Sequence, residues 1–434
     1  MLLVLLLGVT LGRPLPVLAH AVLLRSDPPD LCGVLAKPPV RPGDSRCASG
    51  ALLAMAPTAV HLWFSQPAQP FAGGISVVDP SGRRVERGPV RANGVELSVD
   101  VDAGEEGTYV VRWRVVADDT HPALGSFAFS LGHVSAHGGT PSSDTLGSVP
   151  RAGLALQVAA RFLHFAGAAL GFGSLAFLLL ILRPQMPAGA GRAGALLQRL
   201  AGFGVVVLLA AEVLALLAQT ASLAGGNALD PAAVGDALSS SFGRVLAQRV
   251  AIALLLWMLV GVTDNGVLHD RAGRLALGLG ALMAVVDTEA SHIAGPDPSW
   301  PGAAATTIHV AAMAVWAGGL VALLGVWRLL ERSTNRDALL RRFGRLAALC
   351  LALLVATGAV MTLLRLKVAG DLSSTAYGRT LVVKLAMVAA AVLLAYAGRR
   401  AMLRRRLRWW SMEAASLAAV LVLAGLLVSL PPPR

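Results

Sequence analysis

Two kinds of hydrophobic pattern divide the chain. Between residues 20 and 134, apolar and polar positions alternate in short runs broken by Pro, Gly, Asn and Asp. The runs AVHLWFSQP, GGISVVDPSGRRVER, GVELSVDVD, GTYVVRWRVVA and GSFAFSLG read as β-strands, and DPSGR reads as a hairpin-type turn. Several such strands in about 115 residues predict a small sandwich or Greek-key barrel. Further on, alternation gives way to apolar stretches long enough to cross a bilayer. Eight spans are expected, at approximately 154–182, 197–223, 245–263, 273–290, 303–327, 343–365, 380–398 and 411–430. A polar stretch rich in Gly, Ser and Pro, 135–153, reads as a linker. Residues 1–19 hold the apolar core LLVLLLGVTLG, then Val17 and Ala19 at the −3 and −1 positions of a signal peptide cut before His20. No basic segment precedes that core, so retention as an anchor is the alternative. The fold class expected is multidomain: an all-β domain at 20–134, then an all-α bundle of eight transmembrane helices at 154–430.

Composition supports the membrane assignment. Of 434 residues, 55% are hydrophobic and 14% charged, against about a quarter charged in a soluble chain. The net charge of +12 does not point to nucleic acid, because the arginines cluster beside apolar stretches. The loops 183–199, 264–274, 328–345 and 399–408 hold 17 Arg and Lys, while 224–244, 287–302 and 365–379 hold 4. Basic loops stay on the inner side. The β domain and the C-terminus are therefore expected on the outer, periplasmic or extracellular side of the cell membrane. Phosphate loops, nucleophile elbows and H-E-x-x-H motifs are missing, so no enzyme class is favoured.

The residues that carry chemistry begin at the predicted new N-terminus. Cleavage before His20 would place a free amine beside an imidazole, a ready chelate. In ADDTHPALGSFAF, Asp119 and His121 stand two residues apart, so on an extended segment their side chains share a face. Pro122 limits the backbone just after them. Three nitrogens and a carboxylate suit Cu(II), which favours tetragonal N/O ligation. Cys32 and Cys47 fall in the exported part and are candidates for a disulfide closing a polar loop. Neither belongs to a C-x-x-C pair. Cys350, in an apolar run, is expected to be buried packing. Met55 is the only methionine between residues 20 and 134, which argues against a thioether Cu(I) site there.

Residues 20–132 resemble the periplasmic copper-binding CopC family through HAVLLRSDPPD, VHLWFSQP, GGISVVDPSG and GTYVVRWRVVADDTHPALGSFAFSLG. The resemblance implies a Greek-key β-barrel of Ig- or cupredoxin-like type. It assigns Cu(II) to an N-terminal His and a D-x-H-P motif, here His20, Asp119 and His121. The stretch LCGVLAKPPVRPGDSRCASGALLAM is longer than the usual family turn and receives no role. The membrane half resembles the CopD family through RFLHFAGAALGFG, SHIAG, HVAAMAVWAGGL, RFGRLA, YGRTLVVKLA and SMEAASLAAVL. Chains joining the two are CopC/CopD fusions, associated with copper resistance and copper uptake.

Polar groups inside lipid are costly and usually functional. His309 is expected about six residues into its span, roughly 9 Å deep, and His164 roughly 15 Å deep. His292 falls at the outer end of the fourth span or in the loop after it. Met313 and Trp316 share a helical face with His309. Together with Met361 they give an outer-half set, His164, His292, His309, Met313 and Met361, suited to copper as Cu(I) or Cu(II). Met313 and Met361 also read as packing, and Gly318 and Gly319 as a close helix contact. Glu212 and Lys384 are each expected to pair inside the bundle, with partners the sequence does not identify. The function expected is copper capture by the β domain and handover to the membrane domain, with copper ions and the lipid bilayer as partners and no nucleic acid. Two rivals stay open. One is a b-type haem protein with His164 and His309 as axial ligands. The other is a chaperone or sensor that delivers copper to other exported copper proteins without transporting it.

Overall fold

The computed structural model describes residues 23–30, 50–117, 120, 122–135, 151–185, 191–223, 227–264, 267–268, 270–289, 300–330, 336–366, 370–400 and 403–429. The signal peptide, His20, Asp119, His121, His292, Cys32, Cys47 and most of the linker lie outside the described residues.

Among the described residues, eight strands form the amino-terminal half: β1 Leu23–Asp27, β2 Ala51–Leu53, β3 Ala59–Phe64, β4 Ala68–Val78, β5 Glu86–Asn93, β6 Glu96–Val101, β7 Gly107–Ala117 and β8 Pro122–Leu131. They make two four-stranded sheets, β1-β3-β6-β5 and β2-β8-β7-β4. Strict alternation in AVHLWF buries Val60, Leu62 and Phe64 and turns His61 and Trp63 outward. Val99 and Leu97 from β6 meet Ile75, Val77, Tyr109, Val111, Val115 and Phe129 from the other sheet. Each such side chain contributes about 1.5–3 kcal/mol on burial. The long stretch without an assigned role supplies β2, which pairs in parallel with the edge of β8. Gly50 makes this pairing possible: at φ +60 it approaches Ala128 so closely that any Cβ would strike the carbonyl.

The turn DPSGR forms around a buried carboxylate. Asp79 accepts hydrogen bonds from the Ser81 amide at 2.9 Å, the Ser81 hydroxyl at 2.7 Å, the Arg83 amide at 2.8 Å and Arg83 Nε at 3.1 Å. Gly82 takes the left-handed conformation that closes the turn.

Two sequence irregularities orient this half toward the helices. The outward face of β7 reads Arg112, Arg114, Val116, changing from charged to apolar at its end. In β4 the register shifts between Pro70 and Ile75, a bulge built on Gly73 and Gly74. Phe71 lies in that bulge. Phe71 and Val116 are both buried, not against their own core but against Ala233 and Ala237 of a short helix, with Leu216 and Phe242 beside them.

The carboxy-terminal half is helical: α1 Arg151–Ala168, α2 Gly191–Leu223, α3 Pro231–Ser239, α4 Ser241–Gly261, α5 Asp270–Glu289, α6 Trp300–Val326, α7 Arg336–Arg365, α8 Ala376–Arg400 and α9 Leu403–Ser429. Alpha1 continues to Gln185 through π-helical segments at Ala169–Gly173 and Phe177–Leu182. Among the described residues, seven helices are long and apolar enough to cross a membrane, one fewer than the eight spans expected. The exception is α5, whose sequence carries Asp270, Arg271, Arg274, Asp287 and Glu289. It nevertheless packs between α4 and α6. Gly318 of α6 sits against Ala169 and Gly173, where a Cβ would collide with backbone, as a close helix contact requires.

Replacing Asp79 with Ala should destabilise the β half by about 1–3 kcal/mol, through loss of the acceptor for these donors. Burial alone would raise the Asp79 carboxyl, but hydrogen bonds from Ser81 and Arg83 and the Arg83 charge outweigh it and hold it below the usual range. Its contribution is therefore present above the unfolded carboxylate value of about 3.9 and disappears as pH falls through the lower folded value. Urea unfolding of the full chain followed by tryptophan fluorescence, at neutral and acid pH, measures both. The difference between wild type and Asp79→Ala should shrink on acidification.

Candidate functional site

The tip of the β7–β8 hairpin is seated on the helical half. Ala117 ends β7, and its carbonyl accepts both the Thr120 amide at 2.9 Å and the Ser241 hydroxyl at 3.0 Å. Gln219, near the end of α2, donates through Nε2 to the Thr120 carbonyl at 3.2 Å. The Ser241 amide donates to Gln69 Oε1 at 3.1 Å. Thr120 itself is strained: φ is +68, a conformation that a β-branched residue rarely takes. Its side chain is buried at 7% exposure. The shared-face expectation for Asp119 and His121 assumed extended backbone between them, and Thr120 is not extended.

Below this seat a cavity of ≈ 1250 Å³ runs into the bundle, lined mainly by apolar side chains. Thr120 lies on its wall, as do His164, His309, Met313 and Met361. Four of the five residues proposed for the membrane site thus share one cavity, while His292 lies outside the described residues. His309 stands on α6 nine positions after Trp300, or about 14 Å along the helix. Its Nδ1 is 3.0 Å from Thr357 Oγ1. Because that hydroxyl already donates to the Leu353 carbonyl at 2.6 Å, Nδ1–H is the donor to Thr357. The lone pair then rests on Nε2, one of the two nitrogens through which a neutral imidazole can ligate a metal. Met361 presents its sulfur to the Thr306 hydroxyl at 3.3 Å.

His164 is placed differently. It is 5% exposed, with Nδ1 at 2.7 Å from Glu212 Oε1 and Nε2 at 3.1 Å from Asp287 Oδ2. Arg249 faces both carboxylates, with Nη2 at 2.8 Å from Asp287 Oδ1 and Nη1 at 3.9 Å from Glu212 Oε2. Glu212 thus finds the intramembrane partner expected for it. The sequence alone assigns Arg249 and Asp287 no role and absorbs them into the ends of spans. The available signal is the charge itself, since ionisable residues within spans are rare. The two carboxylates lie on opposite sides of the ring, and no group of three His, Cys, Asp or Glu converges on a metal among the described residues.

Comparison with known proteins decides the family. Residues 43–132 match the CopC domain, 152–295 the copper resistance protein D-like N-terminal domain, and 337–430 copper resistance protein D. Copper transport protein CutJ of Bacillus subtilis (strain 168) is 25% identical over 405 residues, covering 88% of this chain and 72% of that protein. The chain belongs to the CopC/CopD fusion family. The CopC part of the fusion is also 33% identical over 85 residues to copper resistance protein C of Xanthomonas campestris pv. juglandis, covering 67% of that protein. The crystal structure of CopC from Methylosinus trichosporium OB3b aligns over 27% of the fusion and 98% of its own chain, at 22% identity and a TM-score of 0.20. The fusion is a multi-pass, copper-related membrane protein.

Within the fusion, the Arg249 charge is what lets two carboxylates stay buried beside one imidazole. Arg249→Leu should cost about 3–5 kcal/mol, the usual penalty for removing one partner of a buried ion pair. SDS-induced unfolding of the purified protein checks this.

Proposed function

We propose that the β half captures Cu(II) with the His20 amine and imidazole, Asp119 and His121, and hands copper down the cavity toward His309. The observation that supports this reading is the position of Thr120, the residue between Asp119 and His121, on the wall of the cavity that also holds His309, Met313 and Met361. Fixing donor and acceptor sites on one body keeps the captured ion at high effective concentration beside its next ligand. The ligand types also change along the way, from nitrogen and carboxylate to imidazole with thioether sulfur, which suits Cu(I) once an external one-electron reductant has converted the captured Cu(II). His292 would add an imidazole on the outer side. The β half packs on the ends of α2 and α4 that flank the weakly basic loop 224–244. This favours an outer location for the β half and the C-terminus, in the cell membrane. The protein acts as a carrier and not as an enzyme. The haem reading asks for an accessible nitrogen on His164, and both of its nitrogens face carboxylates.

Two measurements on the full chain test this. Copper titration of protein beginning at His20, against protein extended by one Met, should show weaker Cu(II) binding and an altered visible spectrum for the extended form. Equal affinity with identical spectra removes the amine from the site. Binding should also weaken in acid, where amine and imidazole must give up protons to ligate. In vesicles, His309→Ala should retain Cu(II) capture and lose copper flux. Unchanged flux would take His309 off the path, and wild-type flux no greater than that of protein-free vesicles would favour a chaperone or sensor.

A further inference from the structure

The cluster of His164, Glu212, Asp287 and Arg249 fixes a proton count. A neutral imidazole donates from one nitrogen and offers a lone pair from the other, while an ionised carboxylate only accepts. His164 nevertheless contacts a carboxylate oxygen through each nitrogen, at 2.7 and 3.1 Å. Both contacts are favourable only if the group holds a proton beyond those of a neutral histidine and two carboxylates. With that proton, an imidazolium and a guanidinium balance two carboxylates and the net charge is zero. Without it, the group carries one uncompensated negative charge inside the bilayer, which is costly unless a cation supplies the balance.

The surroundings suit such an exchange. The four residues come from α1, α2, α4 and α5, and all four line the cavity that carries His309. The other ionisable side chains on that wall are Arg161 of α1 and Tyr377 and Lys384 of α8. Glu413 is buried on α9, which packs against α1. The helix bearing His164 turns π-helical five residues later, at Ala169–Gly173, a local feature common at functional sites.

We propose that this cluster is a proton-exchange site that couples cation passage through the bundle to proton movement. As a monovalent cation enters the cavity, an N–H bond of the His164 imidazolium breaks. The proton passes to cavity water, the electron pair stays on the ring nitrogen, and nothing is oxidised or reduced. The cation replaces the lost positive charge, and its departure returns the proton. That the cation is Cu(I), formed from captured Cu(II) by an exogenous one-electron reductant before it enters the cavity, rests on the handover reading above. A purely structural ion-pair network would hold the helices together without exchanging its proton.

The test uses the full chain in liposomes that trap a pH-sensitive dye in weak buffer, with copper supplied as Cu(I) kept reduced by ascorbate. Copper entry should shift the luminal pH, an imposed pH gradient should change the entry rate, and His164→Gln or Asp287→Asn should remove the shift. A copper-free arm records infrared spectra of the same liposomes across pH. Carboxyl and imidazole bands should change together in wild type and not in His164→Gln. Copper entry without a pH shift, indifferent to an imposed gradient, overturns the proposal. If wild type moves no copper, the handover reading fails, and the infrared arm decides alone: bands that titrate together uphold the proton site, and static bands overturn it. Should the variants fail to fold, the wild-type gradient and infrared arms decide between the same two outcomes.

Discussion

A bilayer offers no solvent for charge, so ionisable groups placed at its centre must solvate one another. Here that condition is met by one arginine, one histidine and two carboxylates drawn from four helices. Each group is tolerable only because the other three are in place, and this fixes which faces of α1, α2, α4 and α5 turn inward. The cavity inherits its shape from the same constraint, since the helices that supply the cluster also form its wall. Alpha5 shows how far the effect reaches. It is too charged to qualify as a span by hydropathy, yet it takes a place between two spans because Asp287 has partners there.

The second organising contact is the seat of the β half on the helices. It combines an apolar patch, Phe71 and Val116 against Ala233 and Ala237, with hydrogen bonds at the hairpin tip. The apolar patch provides adhesion, and the hydrogen bonds set the orientation. Holding Thr120 in a left-handed conformation works against the seat and needs the surrounding bonds to sustain it. The strain is thus localised between two candidate copper ligands, at the point where the two halves meet.

Much of this was legible in the residues. Alternation in AVHLWF and the turn residues in DPSGR determine strand and hairpin directly, because each depends on local periodicity. Span length gives the helices in the same way. What was not legible depends on pairs distant in sequence. His164 lies 48 positions from Glu212 and 123 from Asp287, and no local pattern announces that they meet. Arg249 could have been singled out as a charge within an apolar helix, but its partners could not. The left-handed Thr120 is opposed by every local preference and exists only through contacts made from another part of the chain. The parallel strand Ala51–Leu53 is similarly silent, since three residues carry too little pattern to register.

The bulge that carries Phe71 bears on modularity. A freestanding β domain has reason to keep its outer faces polar, whereas this one directs a large aromatic and a valine away from its own core. Their burial depends on a helix more than a hundred residues further along the chain. Cut from the helices, the β half would display a sticky patch and invite self-association. The two halves of the fusion are therefore not interchangeable parts on a string: the surface chemistry of one presupposes the permanent presence of the other.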